Sequence, residues 1–315
     1  MYLKWRKGCH GKGMIYIKCP KCLKKFSRSL KSNSQIVKCG FFKRNSDRKI
    51  VQRYYCTACK KHFSSATFSD CFNQKKRHYN CKVAQLLVSA VSLRECSRVL
   101  KINRKSVVRK LIFMGKKAKI DLDKFNNKLP IAKEVLFDDL ETFEHTKCKP
   151  VSIGLMVEEG TRRVLGYNIA RMPAKGLLAK ISVKKYGKRI DERPKKRAEL
   201  FNEMKNLVHD RAIVKSDECP YYFKFIKRHF PNASHITFKG RASAIVGQGE
   251  LKKVGFDPLF SLNHTCATLR ARVSRLIRRT WNTTKKPERL DLHLAIVCLF
   301  HNRNLKSYLP SPAAG

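Results

Sequence analysis

Apolar positions change their spacing along the chain, and the changes divide it into three regions. Up to about residue 75, apolar residues fall in short runs that are interrupted by lysine and cysteine, with poor helical periodicity. Between residues 82 and 118, they recur every three or four residues, which predicts amphipathic helices. From residue 134 onward, short apolar runs alternate with helical spacing. The pattern predicts a small β module, a helical segment and a larger α/β domain.

The helical segment, residues 82–118, is predicted to form a helix-turn-helix. Ser92 and Asn103 are suited to cap two successive helices that are separated by a break at residues 101–103. A short turn before a basic helix is typical of DNA-binding helix-turn-helix motifs, although any small helical hairpin shares the pattern. The basic residues expected to face DNA are Arg104, Lys105, Arg109 and Lys110. Residues 119–133, which are polar and contain a proline, are interpreted as a linker.

The third region, residues 134–315, is predicted to be one α/β domain. Strands are expected at residues 135–137, 151–157, 164–170, 212–214 and 235–238, and helices at 198–208, 221–230, 263–281 and 290–300. The first three strands are joined by short turns, which favours an antiparallel meander. The later strands alternate with helices, which favours parallel pairing. This element order is that of the ribonuclease H-like (integrase-type) fold.

The charge of the chain narrows the class of partner. Its 315 residues include 70 Lys and Arg against 23 Asp and Glu, a formal net charge of +47 that is spread along the whole sequence. A protein with so much self-repulsion is expected to meet a polyanion, and nucleic acid is the leading candidate because phosphate contacts release counterions. The absence of a long apolar run and of a signal-peptide core predicts a cytoplasmic protein.

Two C-x-x-C pairs predict a zinc ribbon in residues 1–75. Cys19 and Cys22 form the first pair, and Cys56 and Cys59 the second. Two intervening residues let both thiolates of a pair converge on one tetrahedral Zn²⁺. The long separation of the pairs leaves room for an inserted hairpin, and Cys39 or His62 are alternative ligands.

Two aspartates stand where predicted strands end in a chain that has few acids. Asp138 follows the strand at residues 135–137, and Asp217 follows the strand at 212–214. In the expected fold these strands are neighbours, so both carboxylates would enter one cleft. Carboxylates so placed can hold the divalent ions that phosphoryl transfer on DNA needs. Asp139 is expected on the opposite face, because adjacent strand residues alternate.

Three segments resemble the motifs of DDE-type insertion-sequence transposases. They are FDDLETFEHTK at residues 137–147, SDE at 216–218, and the helix with its basic continuation from 262 to 286. The chain is similar to the insertion sequence one family and its zinc-ribbon relatives over most of its length. The resemblance implies a ribonuclease H-like catalytic domain, Mg²⁺ or Mn²⁺ as cofactor, and recognition of terminal inverted repeats.

The third metal ligand is the least close match to the family, which places Glu there, or Asn in some branches. A basic residue follows this ligand seven positions later. Asn263 with Arg270 fits that spacing, and Glu250 in its glycine-rich setting is the rival. Asp257 is a further acid that can help. The basic residues expected to contact DNA on the predicted helix at 263–281 are Arg270, Arg272, Arg275 and Arg279.

These features predict a DNA transposase that binds double-stranded transposon ends and target DNA as a homo-oligomer. A non-catalytic DNA-binding regulator or inactive transposase remnant is the alternative, and Asn263 in place of an acid favours it. A ribonuclease H-like RNA-processing nuclease is a third class, which rarely carries such an N-terminal module.

Overall fold

The computed structural model describes residues 17–23, 35–239, 257–277 and 281–305. The chain divides into two compact units, residues 1–83 and 84–315. Within the described segments, no helix has both the length and the apolar character needed to cross a bilayer.

The first unit contains a three-stranded antiparallel sheet. Its strands are β1 (Ile36–Lys43), β2 (Ile50–Cys56) and β3 (Lys61–Ser64), and β2 lies in the centre. Ile36, Tyr54 and Phe63 pack around the buried Cys19 and Cys56. So small an apolar core gives little stability by itself, which is typical of modules that are completed by a metal ion.

The second unit combines helices with a mixed five-stranded sheet. Helix α1 (Tyr79–Val88) contains the boundary between the units, and twelve described helices and strands follow it in the second unit. These are α2 (Leu93–Val99), α3 (Arg104–Asn126), β4 (Ala132–Phe143), β5 (Pro150–Glu158), β6 (Val164–Arg171), α4 (Leu178–Tyr186), α5 (Arg193–Met204), β7 (Val208–Asp217), α6 (Pro220–His229), β8 (Ser234–Phe238), α7 (Phe260–Arg272) and α8 (Pro287–Leu305).

The strand order of the sheet is β6-β5-β4-β7-β8. The pairs β4–β5 and β5–β6 are antiparallel, whereas β4–β7 and β7–β8 are parallel. The expected meander and the expected parallel pairing are therefore both present. β4 is the first strand of this sheet along the chain and lies at its centre, with β5 of the meander on one side and the parallel strand β7 on the other.

Alternation along the strands gives the sheet two buried faces. Val135 and Phe137 of β4 face the core that contains Leu200 and Phe201 of α5 and Ile226 of α6. The opposite face is covered by α7 and α8, and α3 packs along α8. Strand β5 is thus buried on both sides along its near-continuous apolar sequence, and β4 is buried on both sides from Val135 to Phe137.

Two buried asparagines form hydrogen bonds to the backbone of the edge strand β6. The Asn126 amide at the end of α3 donates to the carbonyls of Val164 and Leu165. Asn302 of α8 accepts from the Val164 amide at 2.9 Å and donates to the Val164 carbonyl at 2.8 Å. These bonds satisfy backbone groups that an edge strand leaves unpaired.

The structure differs from the expectation at the predicted linker, residues 119–133. Helix α3 continues to Asn126, so most of that segment is helical. Ala118 and Leu122 are buried along with Asn126. These three residues are spaced four apart, so they continue the buried side of α3 that packs on α8. This packing outweighs the Asp and Asn residues that suggest a linker.

The helix observed near the predicted long basic helix at residues 263–281 is shorter than expected. Helix α7 spans Phe260–Arg272, and Val273 has extended backbone angles. Val273 and Leu276 are both buried after this turn. Ending the helix buries these side chains and avoids a long run of like charges with no intrahelical acid, which would destabilise a continuous helix. Helix α4 is an element that the apolar pattern does not predict.

Gly115 provides a test of the α3–α8 packing. A Cβ at this position would lie 2.5 Å from Leu292 Cβ and 2.7 Å from its carbonyl oxygen. In an exposed helix, Gly→Ala stabilises by about 1 kcal/mol. Here we expect Gly115→Ala to lower the free energy of unfolding by about 1–3 kcal/mol, because the backbone of α8 must move. Urea denaturation measures the change, and the exposed Lys116→Ala serves as the control.

Candidate active site and cysteine centre

The parallel pairing of β4 and β7 brings two predicted acids together. Phe137 is matched in register with Ser216, so Asp138 and Asp217 are the next residues of the two strands. Neighbouring strands lie about 4.8 Å apart, and matched residues of parallel strands point to the same face. The structure therefore places both carboxylates side by side on one face of the sheet.

The electrostatics of Asp138 reflect this proximity. Burial, together with the negative charges of Asp217 and Asp139, raises the pKa of the Asp138 carboxyl to about 6. The amide of Asp139 donates to Asp138 Oδ1 at 2.6 Å, and the Tyr222 hydroxyl donates to the same oxygen at 3.3 Å. These two bonds favour the ionised form. A divalent cation held between the two carboxylates would relieve their repulsion.

Asp139 has a separate partner. It forms an ion pair with Arg197 of α5, and that arginine is only 5% exposed. The sequence does not single out Arg197, which lies among several basic residues at the start of α5. Asp139 thus neutralises a buried cation on the face opposite the Asp138–Asp217 pair, as strand alternation predicts.

Helix α7 lies against the face that carries Asp138 and Asp217. Burial raises the pKa of the Cys266 thiol to about 12, and the Asp138 charge adds to the shift. Asn263 and Arg270 lie three residues before and four residues after Cys266, so all three share one side of the helix. The Arg270 charge acts on the same thiol in the opposite sense. The stripe Asn263–Cys266–Arg270 is therefore on the side of α7 nearest to Asp138.

Asn263 is exposed and has an acidic neighbour. Its side-chain nitrogen donates to Asp257 Oδ2 at 3.0 Å, and Asp257 Oδ1 accepts from the Leu259 amide at the start of α7. The bond directs the Asn263 carbonyl oxygen away from Asp257, so that it is available as a neutral ligand. Glu250, the rival third ligand, lies outside the described residues.

The four predicted zinc ligands converge in the first unit. The sulfur atoms of Cys19, Cys22, Cys56 and Cys59 all lie within 4.8 Å of one another. The shortest separations are 3.4 Å for Cys19–Cys59 and 3.5 Å for Cys22–Cys56. Tetrahedral Zn–S bonds of about 2.3 Å place sulfurs slightly farther apart than this, so the donor set fits Zn²⁺.

Local hydrogen bonds favour a thiolate at Cys19, whereas burial and the neighbouring thiols raise the pKa of Cys59 to about 12. Burial raises the pKa of Cys19, but the amides of Cys22 and Lys21 and the neighbouring thiols outweigh it and lower the pKa to about 6. Thiolates are the form that binds zinc. Cys39 is exposed on β1, and neither it nor His62 belongs to the cluster.

The four residues of α3 that are predicted to contact DNA differ in their exposure to solvent. Arg104, Lys105 and Arg109 are exposed, whereas Lys110 is only 3% exposed. The expectation for Lys110 is wrong in this conformation because it shares the buried side of α3 with Val107 and Leu111.

The arginines after Asn263 do not form one exposed helical face. The Arg272 guanidinium lies 5.1 Å above the Phe300 ring and donates to the Val88 carbonyl. Arg275 lies in the turn after α7, where burial lowers its pKa to about 10. Arg279 lies outside the described residues. Trp281 is fully exposed.

No family model matches the sequence, and the comparison with curated proteins also gives no match. Solved structures similar to the chain include the catalytic domain of Mos1 mariner transposase, at 12% identity and a TM-score of 0.25, covering 63% of this chain and 88% of that one. A second is the Mos1 mariner paired end complex with Mn, at 12% identity and a TM-score of 0.24, covering 75% and 78%. Similarity at this level does not show shared chemistry. The chemical properties of the site are therefore inferred from the residues described above.

The cysteine centre leads to a prediction about metal content. We expect the purified chain to hold about one Zn²⁺, because four thiolates complete a tetrahedral site. Cys59→Ser should lose most of this zinc, measured by atomic emission after dialysis. Cys39→Ser removes an exposed thiol from the same unit and should keep the metal. Equal zinc content in the two variants would contradict the assignment.

The adjacent acids lead to opposite predictions for stability. The folded-state pKa of Asp138 lies above its ordinary value, so the ionised carboxylate destabilises the fold above about pH 6. In zinc-loaded protein without Mg²⁺ or Mn²⁺, we expect Asp138→Asn to raise the free energy of unfolding at pH 7.5 by about 1 kcal/mol. The gain should shrink as the pH falls from 6 toward 4.

Asp139→Asn is the matched control for this measurement. It leaves Arg197 buried without its carboxylate, so we expect a loss of about 3 kcal/mol. Calorimetry of both variants gives the comparison. Destabilisation of similar size in both would show that Asp138 is an ordinary structural acid.

Proposed function

We propose that the chain is a DNA transposase of an insertion sequence with a ribonuclease H-like catalytic domain of the DDE type. The single observation that carries the proposal is the placement of Asp138 and Asp217 at matched positions of two parallel strands. The motifs around both residues resemble those of insertion-sequence transposases. The net charge of +47 supports a nucleic-acid substrate.

In the proposed site, Asp138 and Asp217 hold divalent cations, Mg²⁺ or Mn²⁺. When bound, these ions activate the attacking oxygen and stabilise the leaving oxygen of a phosphodiester. Water would attack the phosphate at a transposon end and displace a 3′-hydroxyl. That hydroxyl would attack a target phosphodiester, form a new P–O bond and displace the 3′-hydroxyl of the broken target strand. Strand cleavage and strand transfer thus use one set of carboxylates.

Asn263 is the preferred third ligand, because the Asn263–Cys266–Arg270 stripe of α7 approaches Asp138. A neutral amide oxygen contributes less to cation affinity than a carboxylate does. Asp257, hydrogen-bonded to Asn263, supplies a negative charge close to this ligand. Arg270, on the same side of the helix, is positioned to meet the DNA phosphate.

DNA recognition is assigned to separate elements. We propose that α2, the turn at residues 100–103 and α3 form a helix-turn-helix that binds terminal inverted repeats. Arg104, Lys105 and Arg109 lie at the exposed start of α3, where a recognition helix contacts bases and phosphates. The zinc ribbon adds a second DNA-binding module, and a homo-oligomer would pair the two ends.

The proposal is tested by nicking of a plasmid that carries the DNA flanking the gene of this chain. We expect Mg²⁺-dependent nicking that Asp217→Ala reduces by about three orders of magnitude or more. Asp210→Ala removes an exposed acid from the same strand and should leave nicking unchanged. Asn263→Ala should also be inactive, whereas Glu250→Ala should be active.

Other outcomes have distinct meanings in the same assay. Binding of the plasmid without nicking in Mg²⁺ or Mn²⁺ would favour the non-catalytic DNA-binding protein. Loss of nicking in Glu250→Ala, with activity retained in Asn263→Ala, would transfer the third position to Glu250.

A further inference from the structure

A chain of contacts behind the two catalytic acids involves residues that the reaction does not otherwise use. Tyr222 of α6 is only 2% exposed, and its ring lies 4.9 Å from the Phe137 ring in an edge-on arrangement. Its hydroxyl donates to Asp138 Oδ1 at 3.3 Å. Burial, with the nearby carboxylates, raises the Tyr222 pKa, so the hydroxyl keeps the proton that it donates.

Arg197 fixes the ring of Tyr222 from the other side. Its guanidinium lies 4.9 Å above that ring and is ion-paired with Asp139. The Nε atom of Arg197 is buried and has no hydrogen-bond partner among the described residues. Asp139 and the Tyr222 ring both contact the Arg197 guanidinium. The contacts form a continuous path Asp139–Arg197–Tyr222–Asp138.

The two oxygens of the Asp138 carboxylate differ in their hydrogen-bond donors. Oδ1 accepts from both the Asp139 amide and the Tyr222 hydroxyl. Within the described part of the chain, no hydrogen bond to Oδ2 is formed. Two donors on one oxygen fix the rotation of the carboxylate and leave the other oxygen free. An oxygen so presented beside Asp217 is suited to coordinate a cation through one atom.

We propose that Tyr222 is a positioning residue that orients Asp138 for divalent-cation binding, with Arg197 holding the tyrosine ring. The proposal rests on the proposed function in one respect, that the Asp138–Asp217 cleft binds divalent cations. The competing interpretation is a core tyrosine whose hydroxyl merely finds an acceptor. The two interpretations differ in what removal of the hydroxyl does to cation affinity in a folded protein.

Manganese binding to zinc-loaded, DNA-free protein tests the proposal directly. Free Mn²⁺ is measured by electron paramagnetic resonance during a titration of the full chain. We expect Tyr222→Phe to weaken the Asp138-dependent binding about 10-fold, the usual cost of removing a partner that orients a metal ligand. Asp138→Ala identifies which binding belongs to this cleft.

The neighbouring tyrosine provides a matched control. Tyr221 is 66% exposed, so Tyr221→Phe deletes the same atom from the adjacent residue without touching Asp138. Its manganese affinity should equal that of the wild type. Circular dichroism and thermal melting of both variants establish that they are folded. Unchanged affinity in folded Tyr222→Phe overturns the proposal.

Nicking kinetics give a second readout that a purely structural role would not produce. We expect the Mn²⁺ concentration for half-maximal nicking to rise about 10-fold in Tyr222→Phe. The rate at saturating Mn²⁺ should stay within about threefold of the wild type, because the ligand itself is intact. A lower saturated rate with an unchanged half-maximal concentration contradicts a positioning role.

The two proposals fail in different ways. Asp138-dependent manganese binding that weakens in Tyr222→Phe, without any nicking by the wild type, overturns the transposase assignment alone. Nicking that requires Asp217 but is indifferent to Tyr222→Phe, with unchanged manganese affinity, overturns the positioning role alone. A wild type that binds no manganese at the cleft overturns the positioning role as well.

Discussion

The parallel pairing of β4 with β7 is the constraint on which the candidate site depends. It matches Phe137 with Ser216 and so makes Asp138 and Asp217 neighbours, although 78 residues separate them in sequence. A shift of one residue in this register would send one carboxylate to the opposite face. Burial on both sides of the sheet fixes the register, because Val135, Phe137 and Val214 all belong to one core.

The same packing sets the chemistry of the adjacent acids. Asp138 and Asp139 differ by one strand position and have opposite environments. Asp139 pairs with the buried Arg197, while Asp138 faces Asp217 and the side of α7 that carries Cys266. One acid therefore stabilises the fold, whereas the ionised form of the other is strained by burial and by the charge of Asp217. Strain of this kind is expected where function is favoured over stability.

Local sequence signals correctly indicate the elements that carry the site. Apolar runs predict β4, β5, β6, β7 and β8, and the C-x-x-C spacing predicts the cluster of Cys19, Cys22, Cys56 and Cys59. Ser92 and Asn103 cap α2 and α3 as their side chains suggest. These predictions succeed because period, capping and ligand spacing are short-range properties of the chain.

Tertiary structure alone decides the burial of Lys110, the extension of α3 to Asn126 and the end of α7 at Arg272. It also decides the roles of Arg197 and Tyr222, whose local sequence carries no signal. Each depends on which surfaces meet across long sequence separations, and a basic or aromatic residue is compatible with either solvent or core. The sequence by itself determined which ligands and strands are present, and packing determined which side chains support them.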